Sequence, residues 1–145
     1  MKQKLSCILL IDDDEANNFL SNLIIEEVGC AAAVKTQETA KAALNYLADS
    51  NQFSNQHNIT AKPELIFLDI NMPAMDGWEF LGKYRELINS IPQKSAPVII
   101  MMSTSGDPKD RSKACQIPEV SEFYNKPLTP EMLHSIMLRY FSDKL

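Results

Sequence analysis

Residues 7–19 read CILLIDDDEANNF. Four apolar residues, Ile8 to Ile11, run directly into three adjacent carboxylates, Asp12, Asp13 and Asp14. Ser6 to Ile11 is a short continuous run of the kind that marks a strand buried on both faces, as in parallel sheets covered by helices. Carboxylates crowded at the end of such a strand are costly. Two unit charges about 6 Å apart repel by roughly 3 kcal/mol at an effective dielectric of about 20. A compensating charge has to come from elsewhere in the chain or from a bound ion.

Outward from this stretch, runs of strand length alternate with segments of helical period. Asp14 is placed to cap a helix with Phe19, Leu20, Leu23, Ile24 and Val28 as its apolar stripe, ending at Gly29. Cys30 to Lys35 reads as a second strand, and Thr36 as the cap of a helix to about Ser50 with Ala40, Ala43, Leu44 and Leu47 inward. Asn51 to Ala61 is polar and aperiodic, which predicts an exposed loop. Leu65 to Leu68 is a third buried strand ending at Asp69. Helical period resumes after Gly77, with Leu81, Tyr84 and Ile88 on one face and a Glu79–Lys83 pair outside. Val98 to Met102 is the most apolar run, a short helix starts at Pro108, and Glu122 to Asn125 is a brief fifth strand. In the final helix Thr129 is the cap, Pro130 the first helical residue, and Glu131 faces the positive dipole end. Leu133, Ile136, Met137 and Tyr140 follow at helical spacing.

Composition narrows the function classes. A length of 145 residues suits one domain with a respectable core, and 45% hydrophobic with 23% charged residues is ordinary for a globular chain. The net charge of -5 argues against nucleic acid as a partner, since phosphate binding needs a basic surface. No apolar run approaches the length of a membrane span, and the apolar stretch after Lys4 is too short for a secretory signal. Cys7, Cys30 and Cys115 form neither a disulfide framework nor a zinc pattern and read as thiols of a reducing cytoplasm. His57 and His134 lack a second ligand at metal-binding spacing.

Five strands alternating with helices predict an α/β fold, a (βα)5 doubly wound parallel sheet, whose functional site lies beyond the carboxyl ends of the strands. Asp12 and Asp13 end the first strand, Asp69 the third, Ser103 the fourth, and Lys126 follows the fifth. Three carboxylates with a lysine and a hydroxyl suit a hard dication such as Mg²⁺ and a phosphoryl group. A carboxylate beside that ion can attack phosphorus and give an aspartyl phosphate, with lysine and hydroxyl holding phosphoryl oxygens.

ILLIDDDE, LIFLDINMPAMDG, MMSTSGDPKD and FYNKPLTPEML, in that order over nearly the whole chain, resemble the signature regions of the response-regulator receiver domain of two-component signalling. The resemblance implies a flavodoxin-like strand order 2-1-3-4-5 and a single receiver domain over residues 1–145 without an output domain. It makes Asp69 the phosphoacceptor and Asp12, Asp13, Asp69 and the Asn71 carbonyl the site of Mg²⁺ or Mn²⁺, with Asp13 a direct ligand and Asp12 acting mainly through water. Ser103 matches the hydroxyl and Lys126 the lysine, while Phe123 matches the aromatic switch. Pro127 matches the proline that follows a cis peptide, so the Lys126–Pro127 bond is expected cis. Thr104 is larger than the residue usual after the hydroxyl and would narrow access; it could itself carry the hydroxyl, although Ser103 fits the spacing back from Asp107 better.

The implied function is a cytoplasmic switch that takes a phosphoryl group from a histidine kinase or a histidine phosphotransfer protein. It would signal to a downstream protein, or a second copy of itself, through the face of the fourth helix, fifth strand and fifth helix. Neither nucleic acid nor a membrane is an expected partner. A haloacid-dehalogenase-type phosphohydrolase is an alternative, since Asp12 and Asp14 mimic its D-x-D nucleophile motif. Ala16 stands where that family has threonine or valine, and no acidic strand follows Lys126. A receiver-shaped binding module that is never phosphorylated is a second alternative.

Overall fold

The computed structural model describes residues 3–52, 62–90 and 96–145. Most of the expected loop, residues 53–61 including His57, lies outside them. Strands and helices alternate: β1 Ile8–Ile11, α1 Glu15–Val28, β2 Val34–Gln37, α2 Ala40–Gln52, β3 Leu65–Asp69, α3 Gly77–Ser90, β4 Val98–Ser103, α4 Pro108–Cys115, β5 Glu122–Asn125 and α5 Pro130–Tyr140. All four strand pairings are parallel, in the order β2-β1-β3-β4-β5. No helix among the described residues is long and apolar enough to cross a membrane.

The apolar runs of β1 and β3 are buried throughout because each residue feeds one of two layers. Leu9, Ile11, Ile66, Leu68, Ile99 and Met101 pack on one side, in the cluster that includes α2 and α3 residues. Ile8, Leu10, Leu65, Phe67, Ile100 and Met102 pack on the other, with Ile25 of α1 and Leu133 and Ile136 of α5. Each fully buried Leu or Ile contributes about 1.5–3 kcal/mol, so two such layers hold the sheet rigid beneath its carboxyl edge.

Four expectations need correction. β2 starts at Val34 and runs to Gln37, whereas Ala31 makes only an isolated bridge to Leu5. β2 is an edge strand with Lys35 and Thr36 exposed, so no continuous apolar run marks its bounds. Thr36 therefore lies within β2, and Thr39 caps α2, its Oγ1 accepting from the Ala42 N–H at 3.0 Å. On α1 the buried residues are Asn18, Ser21 and Ile25, while Phe19, Leu20 and Leu23 are 65%, 54% and 45% exposed. The upper half of α1 lies against the polar end of β1, where the Asn18 amide donates to the Asp12 carbonyl at 2.9 Å, and only its lower half reaches the apolar layer. On α3, Lys83 lies 3.9 Å from Glu86 rather than pairing with Glu79.

Candidate functional site

The parallel register brings the expected residues to one edge. Ile11 pairs with Leu68, so Asp12 and Asp69 lie side by side; Asp69 pairs with Met102, and Ser103 pairs with Asn125, the residue before Lys126. Asp12, Asp13 and Asp69 each offer a carboxylate oxygen within 4.8 Å of the others. Asp12 and Asp69 are only 4% and 5% exposed, whereas Asp13 faces solvent.

Lys126 answers the charge problem posed by the sequence. Its Nζ lies 2.6 Å from Asp12 Oδ2 and 2.9 Å from Asp69 Oδ1, bridging the two buried carboxylates. The Lys126–Pro127 bond preceding α5 is cis. Burial pushes the Asp69 carboxyl up to about 6; the Lys126 hydrogen bond opposes this without cancelling it, and the Asp12 charge adds to it. Desolvation works to lower the Lys126 ammonium, but the hydrogen bonds and charges of Asp12 and Asp69 outweigh it and raise the net value. Lys126 is thus a permanent cation between two acceptors.

Local sequence fixes the rest of the frame. Asp14 caps α1 by accepting from the Ala16 and Asn17 N–H groups, which turns the chain away directly after the acidic pair. Beyond β3, Asn71 is exposed and its N–H bonds to the Asp69 carboxylate, while Ala74 takes a left-handed φ of 68° in the turn leading to α3. Gly77 is required by close approach, because a Cβ there would stand 2.7 Å from the Asp69 carbonyl oxygen. Ser103 is wholly buried and its Oγ accepts from the Ser105 N–H at 3.0 Å, whereas Thr104 is exposed. Phe123 is buried, beside Met101 in the sheet.

Sequence reasoning missed three participants. The Asn17 side chain donates to Asp12 Oδ2 at 2.7 Å, and Asn18 holds the Asp12 carbonyl, so two consecutive amides orient this carboxylate. Their spacing of five and six residues after Asp12, one helical turn into α1, was the available signal. Arg111 of α4 lies over the Phe123 ring, which no local pattern announces.

Carboxylate oxygens in this number and proximity fit a hard dication, which favours oxygen ligands. The sequence matches the family model of the response regulator receiver domain over residues 8–138. The chain belongs to this family. Among its relatives, the two-component response regulator ORR41 of Oryza sativa subsp. japonica is 26% identical over 140 residues, covering 97% of this chain and 98% of that one. ARR15, a two-component response regulator of Arabidopsis thaliana, is 32% identical over 123 residues, 83% of this chain and 55% of that one. A two-component response regulator from Cytophaga hutchinsonii superposes with a TM-score of 0.82 at 29% identity, covering 94% of this chain and 97% of its own. The receiver domain of the Arabidopsis thaliana histidine kinase CKI1, solved with Mg²⁺ and BeF₃⁻, shares the fold at a TM-score of 0.74 and 21% identity, over 92% of this chain and 91% of its own.

As a receiver domain, the protein is a phosphorylatable signalling switch of two-component systems, not a classical enzyme. Neither the phosphohydrolase nor the inert binding module is favoured. Receiver domains bind Mg²⁺ at an acidic pocket and interact with histidine kinases or phosphotransfer proteins; this one carries the aspartate cluster.

Proposed function

We propose that residues 1–145 act as one receiver domain whose phosphoacceptor is Asp69. The observation that carries this reading is the Lys126 bridge, which leaves Asp69 buried beside a fixed cation and two further carboxylates. An Asp69 carboxylate oxygen attacks the phosphorus of a phosphohistidine. The P–N bond breaks, its electron pair returns to the imidazole, and an acyl phosphate forms. Lys126 and the Ser103 hydroxyl then hold phosphoryl oxygens, with Thr104 flanking the entry, and water later cleaves the acyl phosphate slowly. Asp13, Asp69 and the Asn71 carbonyl would hold Mg²⁺ or Mn²⁺, with Asp12 acting through water, and the ion would supply positive charge against the phosphoryl oxygens.

The donor is a histidine kinase or histidine phosphotransfer protein in the cytoplasm. Its docking surface is the outer face of α1, where Phe19, Leu20 and Leu23 expose an apolar patch on the helix that starts at the acidic pair. Output passes through the face of α4, β5 and α5 to a downstream protein or a second copy of the chain, with Phe123 as the switch aromatic. The test is labelling by acetyl phosphate with Mg²⁺: one phosphoryl group is expected by mass spectrometry, and none on Asp69→Asn. Equal labelling of the variant refutes the assignment.

A further inference from the structure

Burial anchors α4 poorly. Of its eight residues only Ala114 is buried, while Pro108, Lys109, Arg111, Ser112, Lys113 and Cys115 face solvent. One buried methyl gains little from the hydrophobic effect, so other contacts set where this helix lies. Two of them are cationic. The Arg111 guanidinium stands over the Phe123 ring, Cζ 5.0 Å from its centroid, and the same side chain donates from Nη1 to the Phe123 carbonyl at 3.1 Å. Lys113 Nζ lies 4.4 Å from the centroid of the Trp78 ring on α3.

We propose that Arg111 is a positioning residue of the switch: its guanidinium holds the Phe123 ring inward and so ties the placement of α4 to the rotamer of Phe123. This rests on the reading of Phe123 as the switch aromatic. Ring and carbonyl of one residue are engaged at once, which a planar fork of donors can do and a point ammonium cannot. A ring turned outward would leave the guanidinium face, and Arg111 would keep at most the carbonyl bond. Placement of α4 and rotamer of Phe123 are therefore coupled, and the coupling is reciprocal: a partner that pulls α4 off the sheet loosens the ring, and whatever seats the ring seats α4. Lys113 holds the same helix to α3 without touching Phe123, which gives an internal comparison.

The experiment uses the full chain carrying 4-fluorophenylalanine, with the Phe123 fluorine assigned by Phe123→Leu and its solvent exposure read by ¹⁹F NMR. Without ligand, Arg111→Ala is expected to lower the inward-to-outward ratio about tenfold, the combined effect of one cation–π contact and one hydrogen bond, or about 1.4 kcal/mol. Arg111→Lys should lose most of the same ratio, and Lys113→Ala should leave the Phe123 fluorine where it is in the parent. With Mg²⁺ present, beryllofluoride should bind Arg111→Ala more weakly, by at most that factor. A Phe123 fluorine unmoved in both Arg111 variants overturns the proposal, as does an equal response in Lys113→Ala. If the parent fails to bind beryllofluoride, the Asp69 reading fails, and the ligand-free comparison still decides the role of Arg111.

Discussion

Replacing Lys126 with methionine isolates the charge from the shape of the site. The stem stays apolar and of similar length, but Asp12 and Asp69 lose the ammonium lying 2.6 Å and 2.9 Å from them. Removing one partner from a buried ion pair costs about 3–5 kcal/mol, mostly because the remaining charge is uncompensated. At roughly 2–4 °C per kcal/mol for a chain of this size, Lys126→Met should melt about 10 °C below the parent at pH 7 in EDTA. Two reliefs then separate electrostatics from packing. The first is protonation. Because burial lifts Asp69 to about 6 from an ordinary 3.8, the folded state binds more protons than the unfolded chain between those values. The stability cost of its ionisation is absent below that window and complete above it. The Lys126 hydrogen bond pulls the Asp69 carboxyl down, so its loss moves the window upward, and the deficit should shrink as pH falls from 7 to 5. The second is Mg²⁺, which should bind the folded site of the variant more tightly than that of the parent, because the competing ammonium is gone, and so narrow the deficit. Thermal melts over pH 5–8, with EDTA and with Mg²⁺, test both. A melting point within about 2 °C of the parent at pH 7 in EDTA, less than 1 kcal/mol by the same conversion, would refute Lys126 as the counter-cation, and so would a deficit independent of pH.

The other expectations are more local. Asp13→Ala should lose the Mg²⁺-induced rise in melting temperature while changing metal-free stability little, since this carboxylate already faces water; a variant that still responds to Mg²⁺ like the parent would remove Asp13 from the ligand set. Gly77→Ala should lower both the melting temperature and acetyl-phosphate labelling, because the new Cβ meets the Asp69 carbonyl at 2.7 Å and the backbone on both sides must shift. Thr39→Ala should cost about 1 kcal/mol in urea denaturation through loss of the α2 cap, whereas Thr36→Ala should cost less. Phe19→Ser with Leu23→Ser should slow phosphotransfer from a histidine phosphodonor protein and leave labelling by acetyl phosphate unchanged; equal slowing with both donors would place the defect in the site and not in docking.

The buried strands were legible because burial on both faces writes itself as an unbroken apolar run: β1, β3 and β4 lie at or within a residue or two of the expected runs. Caps were equally readable at Asp14 and Thr129, where a side-chain oxygen accepts from the first turn as expected. β2 was misplaced because an edge strand needs no continuous apolar run, and Val34–Gln37 carries two exposed polar residues. The gathering of Asp12, Asp13, Asp69, Ser103 and Lys126 at one edge was legible from the rule that parallel strands deliver their carboxyl ends to one edge, joined to four motifs in fixed order. Arg111 was not legible, since a cation on a solvent-facing helix has no periodic signature and its partner lies twelve residues away on another element.

The misreading of α1 has a physical cause that reaches into function. Hydrophobic periodicity assumes that the face turned to the sheet meets an apolar layer along its whole length. In a parallel sheet with its site at one edge, that holds for the lower part of a flanking helix and fails beside the carboxylates. There the buried face of α1 carries Asn18 and Ser21, and Asn17 reaches Asp12. Burying leucines there would leave Asp12 Oδ2 with Lys126 alone and the Asp12 carbonyl without its amide donor, and an unsatisfied buried acceptor costs about 1–3 kcal/mol. The large apolar residues are left on the opposite face, and exposing three of them brings no folding gain. In the docking proposed for α1 this patch has an occupant: a phosphodonor protein would approach the acidic edge from which α1 starts, and the three side chains stand on that helix.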